Sequence, residues 1–510
     1  MKFPKRLLVL GLVVAVPMAL VFLVWARHRE AVVRYQNQLL AAGEKLKLEE
    51  VLPKPTLPEQ NGASFFWRAL GPWARGATNL LDRNPPAAMH VIGPGKAVVG
   101  WAQPDIRGEG TNTWSEVESA IAAEREHLEF VRKAAEYPVL DFHLDYNQGF
   151  ALLLPHLAPL KRAEQRLTTA LLCDLHRGDA ASASTNLEVM LALVKATAHE
   201  PLGISQLVRM AMAQICVTAT WELLQAPGLQ ESELEAIQHA WAELDFIQPA
   251  EDSLALERAM SQRTLQRMRS SRAQFRQVMG GGGGPGNPVY SFGQAGDSFV
   301  QGIAAGAREA EWRWFLSYPD QLRALQAYQV LLDGFRQVQS GQAFGVVSQS
   351  QQGRLAELGL HPTNEDRIQM DAELRSLFSD AAESLHGVLN RVYLAETARE
   401  LTTTALALKR YQLRHGQYPA ELSALVPELL PMLPRDPADG QTLRYRWQPD
   451  GTFLLYSLGE DGVDNGGDGS PARRADSLGW QRGRDLVWPS PATAAELASW
   501  QRNQALKHSR

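Results

Sequence analysis

Nineteen consecutive residues near the start of the chain, Leu7 to Trp25 (LLVLGLVVAVPMALVFLVW), carry no charge. At 1.5 Å per residue, a helix over them reaches about 28 Å, the thickness of a hydrocarbon core. Trp25 suits a membrane interface, and Pro17 is tolerable inside a spanning helix. Lys2, Lys5 and Arg6 precede the run, while Arg27, Arg29 and Arg34 follow it, so the flanking positive charge is nearly balanced. The run is longer than the apolar core of a cleaved signal, and Val24-Trp25-Ala26-Arg27 is a poor cleavage site. The expectation is an uncleaved signal anchor in the cell inner (cytoplasmic) membrane. Residues 1–6 would form a cytoplasmic tail and 7–25 the span, with the bulk outside in the periplasm. A cleaved signal would instead leave a soluble exported protein.

Composition narrows the rest. Of 510 residues, 45% are apolar and 21% charged, which excludes wholesale disorder and a multi-pass membrane protein. A net charge of −5 gives no pull toward nucleic acid. Cys173 and Cys216 are the only cysteines, too few for a disulfide scaffold or a four-cysteine zinc site. Both lie in apolar helical surroundings and read as buried, inert thiols, with one bridge possible if geometry allows.

The body, 26–279 and again 299–395, reads as mainly α. Helical periodicity predicts helices over Ser115–Glu136, Pro155–Leu175, Ala180–Ala198 and Leu202–Leu224. His176-Arg177-Gly178-Asp179 predicts a helical hairpin, and Leu167–Ala198 is similar to one tetratricopeptide-like hairpin. Gly and Pro are dense from Gly71 to Gly110, which predicts an irregular connection. Residues 280–298 form a Gly/Pro-rich flexible loop, because Gly280–Gly284 runs into Pro285-Gly286-Asn287-Pro288. It lacks the Gly-Lys-Ser/Thr ending of a phosphate-binding loop, so no nucleotide is expected. A long helix is predicted over Glu365–His415, stopped at Gly416.

After Gly416 the pattern changes. Tyr418-Pro419 opens a short predicted helix through Val426, and Leu433-Pro434-Arg435-Asp436-Pro437 forms a rigid turn. Leu443–Trp447 and Thr452–Ser457 read as strands joined by Pro449-Asp450-Gly451, a hairpin signal. A Gly/Asp-rich loop over Gly459–Gly469 follows, then a last β-rich run at Asp485–Trp488. This order resembles the globular domain of the major pseudopilins of type II secretion. The matching residues are Leu408–Tyr411, His415–Pro419, Leu433–Pro437, Tyr445 and Leu455–Gly462. The resemblance covers about 396–489 and implies a C-terminal α+β domain, in which a long helix packs on a small antiparallel sheet and an acidic loop binds calcium. It also implies that Asp485 closes the calcium shell, where the family tends to have two adjacent acids and this chain has Arg484-Asp485. The family's processed N-terminal motif is missing, and the apolar run lies hundreds of residues upstream. The whole layout resembles uncharacterised membrane-anchored bacterial proteins with a helical body and this kind of tail; residues 490–510 read as a C-terminal tail.

Calcium also follows from the residues. Asp461, Asp464 and Asp468 sit among Gly462, Gly466, Gly467 and Gly469, and Ca²⁺ takes six to eight oxygens from a backbone free to curl. An EF-hand fails in register, because Val463 and Ala472 stand at its third and twelfth positions. The alternative is a solvated Asp/Gly turn without metal. Asp450 to Ala472 holds five acids and no Lys or Arg; outside it, acids and bases balance.

Two further constellations weigh less. Asp141, His143 and Asp145 alternate on an extended segment with His156 eleven residues on, a set that a divalent metal could use and that a half-buried strand explains more simply. Arg258, Arg263, Arg267, Arg269, Arg272 and Arg276 split between helix sides. Arg263 and Arg267 fall on one side and the rest roughly opposite, which reads as a solvated helix, with lipid headgroups or an acidic partner as alternatives. No nucleophile elbow, zincin motif or dinucleotide fingerprint is present. The functional expectation is a non-enzymatic envelope scaffold with a protein partner. The alternatives are a type II secretion-like component and an envelope hydrolase with its site in the helical body.

Overall fold

A helix of 37 residues, α1 (Lys5–Ala41), opens the computed structural model, which describes residues 5–73, 81, 86–104, 106–108, 110–279, 309–360, 382–459, 461–471 and 479–508. The 280–298 loop, most of the 1–6 tail and the first part of the predicted 365–415 helix lie outside these. Pro17 sits inside α1 without ending it. Val16, Met18, Leu20, Phe22 and Leu23 are exposed, whereas Val32 and Leu39 are buried against Leu325. The same helix is therefore apolar outward between Val16 and Leu23 and docked at Val32 and Leu39.

Its docking is electrostatic as well as apolar. Glu44, just past α1, accepts hydrogen bonds from Arg258 (2.8 Å), Gln329 (2.9 Å) and Arg336. Burial pushes the Glu44 carboxyl up, but the Arg336 and Arg258 bonds outweigh it and hold the pKa at about 2. Arg258 and Arg336 belong to α9 (Ile247–Ser270) and α11 (Ser317–Gln339), which pack on each other.

The rest of the body is a set of helices packed on one another: α2 (Ala63–Trp73), α3 (Trp114–Ala123), α4 (Arg125–Ala135), α5 (Leu157–His176), α6 (Ala180–Ala196), α7 (Gly203–Leu224) and α8 (Glu231–Ala242). After α9 come α10 (Arg272–Met279), α11, α12 (Phe344–Glu357) and α13 (Ala382–His415). The predicted hairpin is present between α5 and α6. Gly178 has φ +80°, its N–H donates to the Leu175 carbonyl, and the Asp179 N–H donates to the Asp174 carbonyl, which caps α5 as only a left-handed residue can. Asp179 then caps α6 through the Ser182 N–H at 3.0 Å.

Two sequence expectations change here. The single helix over Ser115–Glu136 is two, broken at Glu124 (φ −95°, ψ 8°), whose carboxylate takes the Nε of buried Arg166 at 2.9 Å. The stretch expected to be irregular contains two hairpins, β1 (His90–Gly93) with β2 (Lys96–Val98) and β3 (Ile106–Gly108) with β4 (Gly110–Asn112). Buried Glu222 of α7 holds this region by accepting the N–H groups of Met89 (2.7 Å) and Gly100 (2.9 Å).

The C-terminal region is α+β as expected. β5 (Arg444–Trp447), β6 (Phe453–Leu458) and β7 (Asp485–Val487) form an antiparallel sheet in that order, with Arg444 opposite Tyr456 and Leu458 opposite Asp485. The predicted helix over Tyr418–Val426 shrinks to a 3₁₀ turn at Leu422–Leu425. Residues 490–508, expected as a tail, form β8 (Ser490–Pro491), parallel to β2, and α14 (Ala494–His508). α13 packs on α7 and α8 as well as on β6, and Trp221 of α7 donates to the Pro489 carbonyl at 2.8 Å. One hydrophobic core consequently runs from Phe66 to Trp488.

Among the described residues, the helix long and apolar enough to cross a membrane is α7. It is mostly buried, with Met212, Cys216, Ala219 and Leu223 in the core. Its apolarity serves packing against α5, α6 and α13.

Candidate functional site

Glycine lets the acidic loop curl back over β7. Gly466 and Gly467 adopt φ +72° and +85°, and the turn they make aims loop N–H groups at Asp485. That side chain is fully buried and accepts from Asn465 (3.1 Å), Gly467 (2.8 Å) and Asp468 (3.2 Å). Burial pushes its pKa up, and the three N–H groups oppose that push. Asp464 accepts from the Tyr456 hydroxyl (3.0 Å) and the Gly466 N–H (2.9 Å), with Arg444 at 3.8 Å. Asp468 accepts from the Ser470 N–H (2.9 Å), with Arg484 at 3.7 Å. Exposed Asp461 caps the Val463 N–H (3.0 Å).

Three aspartates thus sit on the loop and Asp485 on the strand it folds over, but in this conformation each faces donors. Ca²⁺ needs acceptors, and among the described residues no three His, Cys, Asp or Glu side chains converge to hold a metal. The residues fit calcium only if the ion takes the outward oxygens of Asp461, Asp464 and Asp468 in place of Arg444 and Arg484. Beneath the loop, Asp436 of the Pro434–Pro437 turn is a second buried anion. It accepts from Ser457 (2.6 Å), Ala438 (2.9 Å), Leu458 (3.0 Å) and Arg444 (2.5 Å). Its role was invisible in sequence, because a turn aspartate carries no mark of burial.

The Asp141, His143, Asp145 and His156 set does not assemble. His143 has φ +54° and an exposed side chain, with Nδ1 3.6 Å from Asp141; Asp145 caps the turn at Asn147. His156 is buried and meets Glu200 at 3.0 Å. Ser205 donates to the same carboxylate, so the acid stands between serine and imidazole, and Phe142 stacks on the ring at 4.0 Å. The cavity there is about 10 Å³, room for one water and no substrate.

Both cysteines are buried and unbridged. Burial pushes the Cys173 thiol up to about 12, while Cys216 contacts the buried carboxyl of Glu164 at 3.7 Å. The arginine run splits as its angles require. Arg263 and Arg267 both reach Asn147, and Arg258 and Arg269 turn to α11. Arg258 is an interior residue, not a solvated one.

One groove carries no clear mark in the sequence. A groove of about 950 Å³ lies between α1, α9 and the segment from Arg313 to Gln321. A π turn at Trp312–Leu316 sets its mouth: Trp25 meets Trp314 at 6.2 Å and Tyr318 edge-on at 5.6 Å. The available signal was Trp312-Arg313-Trp314-Phe315, an aromatic pair around a cation, although nothing local says that it meets Trp25.

Comparison of the chain with family models, with curated proteins and with solved structures finds no match.

Proposed function

We propose that this chain is a non-enzymatic, single-pass scaffold of the cell envelope, anchored in the inner membrane by α1 with its body outside the cytoplasm. One observation supports this above the others. On α1, Val16, Met18, Leu20, Phe22, Leu23 and Val24 stay uncovered, and at Trp25 the helix locks onto Trp314 and Tyr318. An apolar helix with an aromatic collar at one end matches the demands of a bilayer and its interface. Rigid docking of the helix on the body suits a protein that holds partners at a fixed height above a membrane. A broad groove together with a sealed histidine cavity fits scaffolding better than hydrolysis.

The test is extraction of membranes with alkaline carbonate. Full-length protein stays in the pellet, and deletion of residues 1–25 releases it. Release of the full chain would overturn the anchor. Crosslinking in intact membranes followed by pull-down then identifies the partner, and secretion-system proteins among the products would favour the secretion reading.

Calcium on Asp461, Asp464, Asp468 and Asp485 is a second reading, favoured by three carboxylates on one glycine-rich loop folded over a fourth on β7. Calorimetry with calcium and with chelator tests it. A calcium-dependent rise in Tm that vanishes in Asp461→Ala supports binding, and no rise rejects it.

A further inference from the structure

The groove beside α1 is lined by Arg29, Lys47, Arg263, Arg269 and Arg313 against a single acid, Glu49. Three of these cations gather at the mouth. Arg29 lies over the Trp25 ring at 5.7 Å, and Arg269 lies over Tyr318 at 4.5 Å. Arg313 precedes Trp314 in sequence. Arg313 pairs with Glu309 at 3.1 Å; Arg29 and Arg269 have no acid within ion-pair distance among the described residues. The wall also holds polar atoms, buried from water, that no protein group satisfies: Arg313 Nε, Gln262 Nε2 and Gln321 Oε1. Two of the three are donors. Next to this mouth, on the other side of Trp25, Leu20, Phe22 and Leu23 stand exposed.

We infer that the groove mouth binds the headgroup of an anionic phospholipid, with the phosphate between Arg29, Arg269 and Arg313 and the acyl chains along the uncovered flank of α1. The chemistry is complementary at each level. The uncompensated guanidinium groups of Arg29 and Arg269 take phosphate oxygens beside Arg313, the aromatic collar takes the interfacial zone, and the apolar helix face takes the chains. This rests on the membrane reading of α1, since it places the groove at the level of the headgroups.

The experiment uses the full chain in a nonionic detergent, titrated with dioctanoyl-phosphatidylglycerol, dioctanoyl-phosphatidylcholine or inorganic phosphate and followed by tryptophan fluorescence. Phosphatidylglycerol should bind well ahead of phosphatidylcholine. Arg29→Gln with Arg269→Gln should weaken it by about thirtyfold, from the usual contribution of a basic residue near an anionic surface. Arg276→Gln, an exposed cation on α10 outside the groove, should leave it unchanged. An unaltered Tm in Arg29→Gln alone keeps folding out of the comparison. Equal binding of the two lipids, or equal loss in Arg276→Gln, overturns the inference. Phosphate binding as tightly as the lipid assigns the site to the free anion and likewise overturns it. Carbonate extraction separates the two claims. A chain that stays in membranes but shows no lipid preference refutes the headgroup site alone, whereas release from membranes refutes the anchor.

Discussion

The acidic loop and the basic groove invite the same first guess, a concentration of charge awaiting a counter-ion. The two differ in what their charges already touch. At the loop, Asp485 of β7 takes three backbone N–H groups, and Asp464 and Asp468 take further donors with arginines nearby. In the groove, Arg29 and Arg269 meet, among the described residues, only aromatic rings and one carbonyl. Unmet hydrogen-bond capacity, rather than charge density, separates a candidate ligand site from a structural device.

The comparison breaks most readily at Asp485. Replacing it with Ala strands three loop N–H groups over a buried space, and at roughly 1–3 kcal/mol for each unmet group the cost should reach about 4 kcal/mol. Urea unfolding measures it. The loop is self-sufficient if the loss is the same with calcium and with chelator; a loss seen only with calcium would make Asp485 a metal ligand first.

Glu222 gives the next effect, through pH. Burial lifts its pKa to about 7 against the N–H bonds from Met89 and Gly100. The folded chain thus keeps a proton that the unfolded chain releases near 4.5. Stability contributed by this group therefore falls as pH rises from 4.5 to 7 and is level above that. Unfolding free energies at pH 5 and pH 8 should differ by about 2–3 kcal/mol less in Glu222→Gln than in the parent. An identical slope in both proteins would mean that the carboxyl is ionised throughout.

Glu44 works in the opposite direction. Its folded pKa of about 2 lies below the ordinary value, so its contribution is complete above pH 4.5 and is lost as pH falls toward 2. Glu44→Gln should cost about 2 kcal/mol at neutral pH, because Arg258 is left buried without its anion, and should flatten the acid limb of the stability curve. Its value for the comparison is direct. Arg258 is an answered arginine and its loss of partner is felt in folding, whereas Arg29 is unanswered and its removal should be felt only in binding.

Legibility followed the same divide. Helices with a strong period, the Gly178 hairpin and the β5–β6 turn were readable because their causes lie within a few residues. The break at Glu124 was not, since its cause is Arg166 across the body. Strand β8 was not, because it exists by pairing with Lys96 and Ala97. The loop aspartates were found as a group, but their hydrogen-bond saturation depends on which way the backbone N–H groups turn. The groove depended on Trp25 and Trp314, nearly three hundred residues apart, coming to 6.2 Å.

Calcium gives the smallest expected effect and the finest cut. With Asp485 already occupied by N–H groups, an added ion has the outward oxygens of three aspartates and must displace Arg444 and Arg484. Binding on such a partial shell is weak, and at ten times its dissociation constant it stabilises by only about 1.4 kcal/mol. The rise in Tm should therefore be a few degrees at most for a chain of this size, visible by calorimetry and cancelled by chelator. A rise many times larger would show that the loop rearranges to present carbonyls, in which case the acidic loop joins the groove as a site with capacity to spare.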